Sequence, residues 1–243
     1  RLAQVALRRG SVNAQERKAG GVVEQWPAEY LDAGVLTEDA LAIIKDPAID
    51  MVVELSGGIM PAKLYVMEAI KARKHIVTAN KALLAEHWDE IVAAARQAGV
   101  EVYFEASVGG GIPIIQSLSE GLAANRIQDI SGIINGTSNY ILTRMDKDKK
   151  TFAEALKEAQ KKGYAEADPA LDVGGGDAAH KLAVLSALAF ETSVPLKGIH
   201  VEGIEELTPA DFAYAREEFG YVVKLLAIAK QEDGQLEARV HPT

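Results

Sequence analysis

"IDMVVELSGGIMPAKLYVMEAIKARKHIVTANK", Ile49 to Lys81, decides how this chain folds. A run rich in β-branched and apolar residues, Ile49–Leu55, meets a Ser-Gly-Gly turn. Pro61 then sits in the first turn of "PAKLYVMEAIKAR", where its missing N–H costs nothing. A second β-rich run, His75–Ala79, follows at once. Strand, helix and strand at this spacing form a βαβ unit, whose two strands lie parallel. Working outward, "QVALR" (Gln4–Arg8) and "VEVYFEA" (Val100–Ala106) read as further strands. "TEDALAIIKD" reads as a helix with Thr37 as N-cap and Glu38 and Asp39 in its first turn, and "EHWDEIVAAARQAG" as one closing on Gly99.

Beyond Gly109–Gly111 the pattern changes. "TFAEALKEAQKKG" reads as a longer helix capped by Thr151 and Gly163, and "DAAHKLAVLSALAF" carries Leu182, Leu185, Leu188 and Ala189 at helical spacing. "YVVKLLAIAKQEDGQLEARVHP" reads as two strands around an Asp233-Gly234 turn, with Leu236, Ala238 and Val240 facing inward. The expected fold is therefore α/β, a partial Rossmann-type parallel-sheet domain over residues 1–107 followed by an α+β domain over residues 108–243.

Composition narrows the partners. At 243 residues, 48% of them apolar and 25% charged, the chain can bury a substantial core in one or two domains. A net charge of −9 disfavours nucleic acid and anionic membrane surfaces. No apolar run is long enough to span a bilayer, and "RLAQVALRRG" lacks the pattern of a signal peptide, so the cytoplasm is the expected compartment. With no cysteine there is no disulfide, thiolate metal site or thiol nucleophile. A start at Arg1 and a stop just after a strand lead us to expect a piece of a longer protein.

Five stretches have the composition of sites. Ser56 and Gly57 follow a parallel strand, the end at which ligands bind in open α/β sheets, although an ordinary strand-to-helix turn has the same appearance. Neither G-x-G-x-x-G nor a Walker A motif occurs. Lys81, at the end of the next strand, suits a phosphate or a carbonyl oxygen, or is a plain surface lysine. Glu105 precedes Gly109–Gly111, whose freedom lets carbonyls converge on an ion or simply lets the chain cross between domains. "NGTSNY" (Asn135–Tyr140) suits a helix start capped by Thr137 or Ser138, with amides free for an anionic group.

The densest stretch is "GYAEADPALDVGGGDAAHK", Gly163–Lys181, with four carboxylates (Glu166, Asp168, Asp172, Asp177), three consecutive glycines and a closing lysine. If a helix begins near Gly176, Asp177 and Lys181 stand four residues apart, about 6 Å along one face. An exposed i,i+4 ion pair would look the same and contributes only about 0.3–0.5 kcal/mol. The neighbouring carboxylates and the bulk-free glycines, expected to leave room for a small molecule, favour a site. A calcium loop is the rival, but EF-hand spacing is not met.

"ELSGG", "TANKALLA", "FEASVGGGIPII", "INGTSNYIL" and "GYAEADPALDVGGGDAAHK" together resemble, in order and spacing, the homoserine dehydrogenases, from about Ile49 to the C-terminus. The resemblance implies NAD(P)-dependent interconversion of L-homoserine and L-aspartate 4-semialdehyde, on the route to threonine and methionine. It implies Lys181 as catalytic lysine with Asp177 as partner, and Glu166, Asp172 and Lys81 as substrate ligands. Ser56, Gly57, Lys81 and Arg8 would contact cofactor, Arg8 and Arg9 favouring the 2′-phosphate of NADP over NAD. Glu105 with the carbonyls of Val108, Gly110 and Ile112 would form a sodium site. A homodimer is implied, with residues 127–134 contributing, and the second domain would serve catalysis, substrate binding and dimerisation. The lack of cysteine separates this reading from aspartate semialdehyde dehydrogenase, which works through a thiol. The family's first strand, its glycine-rich loop and its C-terminal return segment are not in this sequence. A non-catalytic amino-acid-binding or oligomerisation module without a cofactor loop is therefore the alternative.

Overall fold

A computed structural model describes Val5–Ala6, Leu36–Thr37 and residues 39–243. Arg8, Arg9 and Glu38 lie outside the described residues. The chain forms two compact units, the first containing the described residues up to Leu83 together with Asp89–Phe104, the second Leu84–Trp88 with Glu105–Thr243.

In the first unit β1 (Val5–Ala6) pairs in parallel with β2 (Leu36–Thr37). A three-stranded parallel sheet follows, β3 (Met51–Glu54), β4 (His75–Thr78) and β5 (Val102–Tyr103) in that order. Helix α1 (Ala40–Lys45) precedes β3, and α2 (Met60–Lys71) and α3 (Lys81–Ala98) are the two crossovers. Ile44, Val66, Ile70, Ile76, Leu83, Ile91 and Val100 form the core, as the βαβ pattern requires.

In this unit two helix starts differ from expectation. The cap of α1 is Asp39 rather than Thr37, with Asp39 Oδ1 accepting the Ala42 amide at 3.0 Å while Thr37 Oγ1 accepts the Asp39 amide. A carboxylate at this position answers both the orphan amide and the positive helix end. Helix α3 begins at Lys81, five residues before "EHWDE", because Asn80 Oδ1 accepts the Leu83 amide at 3.1 Å and "KALLA" is made of strong helix formers. It closes on Gly99 at φ 69°, as read.

The second unit is α+β. Strand β6 (Asp129–Gly132), β8 (Leu225–Glu232), β9 (Gln235–Pro242) and β7 (His200–Val201) lie in the order β6-β8-β9-β7, antiparallel except for β7 against β9. Asp233 and Gly234 both adopt positive φ, the condition of the tight hairpin turn their sequence signals. Ala238 and Val240 are buried on β9. The four longer helices of this unit are α4 (Gly136–Asp148), α5 (Phe152–Lys161), α6 (Gly176–Ala189) and α7 (Pro209–Phe219); α6 packs on β8 and β9, and α5 and α7 pack on α4. Nine of the fourteen residues of α6 are buried, among them Ala178, Ala179, Leu182, Val184 and Leu185, so this helix is apolar on nearly every side and runs through the core. Thr151 caps α5, its amide and hydroxyl both donating to Glu154 at 2.9 Å. Arg216 of α7 clamps Asp146 of α4 with two bonds of 2.6 Å.

Candidate active site

The first turn of the core helix α6 carries the site. Asp177 is 5% exposed, and one turn on, Lys181 reaches back so that its Nζ donates to Asp177 Oδ2 at 2.7 Å and to the Ile134 carbonyl at 2.8 Å. The Lys181 side chain keeps 19% exposure and lines the cleft. This is the i,i+4 geometry read from sequence, but in a half-buried setting where a charge-assisted bond is stronger than at the surface.

Asn135 joins a second carboxylate to the pair. It is 4% exposed and is itself the N-cap of α4, its Oδ1 accepting the Ser138 amide at 2.8 Å, so neither Thr137 nor Ser138 caps the helix as expected. Its amide nitrogen donates to Asp172 Oδ1 at 2.7 Å and to Asp177 Oδ2 at 2.8 Å. Ser138 Oγ donates to the Asp172 carbonyl at 2.9 Å and holds the same segment. Two carboxylates and one ammonium thus converge at the head of a cleft of about 640 Å³.

The rest of that cleft is lined by the start of α4 and by Tyr164. The Tyr140 and Tyr164 rings stand 4.8 Å apart, and Arg144 and Lys162 lie 5.2 and 5.5 Å from the Tyr140 centroid. Tyr140 OH donates to Glu158 at 2.7 Å. Lys150, Lys162 and that phenol hold the Glu158 carboxyl far below the usual carboxylate range. The cleft therefore has a carboxylate-lysine end and an aromatic end.

Of the carboxylates in Gly163–Lys181, Asp172 and Asp177 are brought together, whereas Glu166 is exposed on the preceding loop and is not among the cleft's lining residues. The glycines do not leave room for a ligand, contrary to expectation. A Cβ on Gly174 would stand 2.8 Å from the Ala170 carbonyl oxygen, one on Gly176 2.8 Å from Leu171 Cδ1, and one on Gly175, at φ 84°, 3.0 Å from Val201 Cγ1. Protein atoms fill that space. Gly203, which the sequence reading passed over, belongs to the same packing, since a Cβ there would lie 2.6 Å from the Val173 carbonyl oxygen.

In the first unit the loops after β3 and β4 are tied together at the carboxyl ends of the parallel strands. Glu54, 4% exposed, accepts the Ser56 amide at 2.8 Å, the Ser56 hydroxyl at 2.7 Å and the Thr78 hydroxyl at 2.7 Å. Thr78 Oγ1 accepts the Asn80 amide, and Asn80 Nδ2 donates to the Gly58 carbonyl at 2.7 Å. Gly57 and Gly58 have φ near +70°, and a Cβ on either would meet nothing within 4 Å. Lys81 opens α3 immediately beyond this knot. An open, glycine-lined strand end with fixed polar groups fits one side of a dinucleotide.

Glu105 begins a short 3₁₀ turn, Glu105–Ser107, and its two oxygens accept the Ile115 and Gln116 amides at 3.0 and 2.9 Å. Gly109 and Gly111 have positive φ, and the Ile112 carbonyl accepts the Ile114 amide. With Val108 and Gly110 the loop carries one carboxylate and several carbonyls, hard oxygen donors rather than the softer nitrogen and sulfur donors of transition-metal sites. Among the described residues no group of three or more His, Asp or Glu side chains is arranged for a metal, and no helix is long and apolar enough to cross a membrane.

Residues 113–243 match the family model described as homoserine dehydrogenase, and residues 1–105 the one described as homoserine dehydrogenase, NAD binding domain. A homoserine dehydrogenase of Synechocystis sp. is 52% identical over 238 residues, covering 96% of this chain and 55% of its own. One of Pseudomonas aeruginosa is 48% identical over 241 residues, covering 95% and 55%. Among solved structures, a homoserine dehydrogenase from Thiobacillus denitrificans superposes with a TM-score of 0.86 at 49% identity, covering 99% of this chain and 52% of that one. The chain thus spans about half the length of the relatives it matches.

Proposed function

Since the chain belongs to the homoserine dehydrogenase family, we propose that the protein it comes from interconverts L-homoserine and L-aspartate 4-semialdehyde with NADP or NAD. The observation that carries this reading is the Lys181 ammonium, held by Asp177 and the Ile134 carbonyl at the head of an acidic cleft. The nicotinamide, when bound, supplies or accepts the hydride. The chain's own residues do the rest. As the aldehyde is reduced, negative charge grows on its oxygen. An ammonium placed there stabilises the charge and delivers a proton. Asp177 keeps Lys181 aimed. In the reverse direction the neutral amine, the form left after proton delivery, takes the proton from the alcohol.

The substrate carries an α-ammonium group, and Asp172 and Glu166 are its proposed receptors. Lys81 is proposed to serve substrate and cofactor alike, with Ser56, Gly57 and Arg8 on the cofactor. The fixed Ser56 loop supports that role. Glu105 with the carbonyls of Val108, Gly110 and Ile112 is the proposed sodium site. In this reading residues 1–107 bind cofactor, and residues 108–243 bind substrate and form a homodimer through the sheet around 127–134. The β6 edge and the half-exposed Ile133 support that surface.

The test is the absorbance of NADPH when the complete protein meets aspartate semialdehyde. Oxidation that depends on the aldehyde is expected, together with NADP reduction by homoserine. The absence of both would overturn the reading.

A further inference from the structure

We infer that Asn135 is a positioning residue for this reaction, one that sets the spacing and direction of the Asp172 and Asp177 carboxylates and, through Asp177, of the Lys181 ammonium. This rests on the functional reading above.

The geometry leaves little freedom. A primary amide has two N–H donors and one carbonyl acceptor. In Asn135 both faces of that group are used, with the nitrogen donating at 2.7 Å to Asp172 and at 2.8 Å to Asp177, and the oxygen accepting the Ser138 amide. The partners lie 37 and 42 residues away in the chain, so the contact is tertiary and welds the start of α4 to the start of α6. Asp177 Oδ2 is shared by Asn135 and Lys181, and any shift of that oxygen moves the ammonium as well. Two like-charged carboxylates side by side repel, and the neutral double donor between them is what keeps both in place without adding charge. A lysine inserted there would pair with the acids and quench them. An aspartate would add a third negative charge.

Capping and bridging are separable by substitution. Ser and Asp cap a helix about as well as Asn, so Asn135→Ser and Asn135→Asp both keep the Ser138 bond available. Neither donates twice. If Asn135 acts only as a cap or as a space-filler, the Asp variant, nearly isosteric, is the milder of the two. If it positions the carboxylates, the Asp variant is the worse, because it sets three carboxylates against one another.

The experiment measures steady-state kinetics and thermal unfolding of the complete protein and both variants. The expected result is a fall in kcat of about 10-fold or more for Asn135→Ser and about 100-fold or more for Asn135→Asp, the scale of an ångström-sized misplacement. The KM for aspartate semialdehyde rises while that for NADPH stays unchanged. Mere loss of folded protein lowers kcat and moves neither KM. Kinetics near those of the unaltered protein in both variants, or an Asp variant more active than the Ser variant, would overturn the inference. If the unaltered protein itself fails to turn over, the functional reading falls, and the positioning claim is then decided by crystal structures of the variants. Displacement of Asp177 from Lys181 upholds it, and unmoved carboxylates refute it.

Discussion

At the scale of single residues, the polar groups that matter are those held by several partners at once. Lys181 is held by one carboxylate and one carbonyl, and its removal leaves Asp177 still bonded to Asn135. Lys181→Ala is therefore expected to lose about 10²–10⁴-fold in kcat with little loss of folding. Lys181→Arg, which keeps the charge, is expected not to restore the rate, because a guanidinium does not give up its proton; kcat measured at matched thermal stability checks both. Glu54 shows the structural side of the same rule. Its replacement by Ala strips the acceptor from the Ser56 amide and hydroxyl and from the Thr78 hydroxyl, at a cost of about 1–3 kcal/mol or more in urea unfolding. The conservative Glu54→Gln, retaining one acceptor oxygen, is expected to lose less. None of this network could be read from the chain: "ELSGG" announces a loop, but that Glu54 turns inward to hold it depends on Thr78, 24 residues on.

At the scale of elements, several local signals were legible, the caps of α1 and α4 excepted, and tertiary ones were not. Thr151 and Glu154 form a capping box within four residues, and Asp233-Gly234 a turn within two, so sequence alone placed α5 and the β8–β9 hairpin. The Asp177–Lys181 pair was legible for the same reason, since a helix fixes i,i+4 neighbours. Asn135 was not, because its carboxylate partners are distant in sequence, and the Gly174–Gly176 run was misread because what fills its space is Val201 and Leu171, which no spacing rule points to. Gly203→Ala is accordingly expected to destabilise by about 1–3 kcal/mol, since its Cβ would meet backbone at Val173 and Gly174 that cannot swing away. Because those residues lead into Asp177, kcat should fall as well; chemical unfolding and kinetics on the same variant check this. The helix starts also predict a pH response. The Thr151 amide and hydroxyl lower the Glu154 carboxyl below its ordinary value, and the Thr208 amide and hydroxyl do the same for Asp211 at the start of α7. A depressed carboxyl stabilises the fold above its ordinary titration range and loses that contribution as pH falls through the lowered value. The melting temperature is thus expected to be flat near neutrality and to drop below about pH 4. A Thr151→Ala, Thr208→Ala double variant should melt lower at pH 7 and show a smaller acid drop.

At the scale of the whole molecule, the first unit offers a fixed strand-end edge suited to a dinucleotide, and the second an acidic cleft with one lysine at its head. This division follows from the chain's alternation of strand and helix before residue 104 and its longer helices after. Sedimentation of the complete protein at micromolar concentration is expected to show a homodimer, and a monomer would contradict the proposed role of the sheet around residues 127–134. The central claim is that Lys181 carries the proton for a nicotinamide-dependent reduction. The measurement that meets it most directly is NADPH oxidation by the complete protein with aspartate semialdehyde, run beside Lys181→Ala at matched folding. Turnover by the unaltered protein and its loss by at least about 100-fold in the variant is the result predicted; a variant as active as the unaltered protein would remove Lys181 from the mechanism and contradict the account.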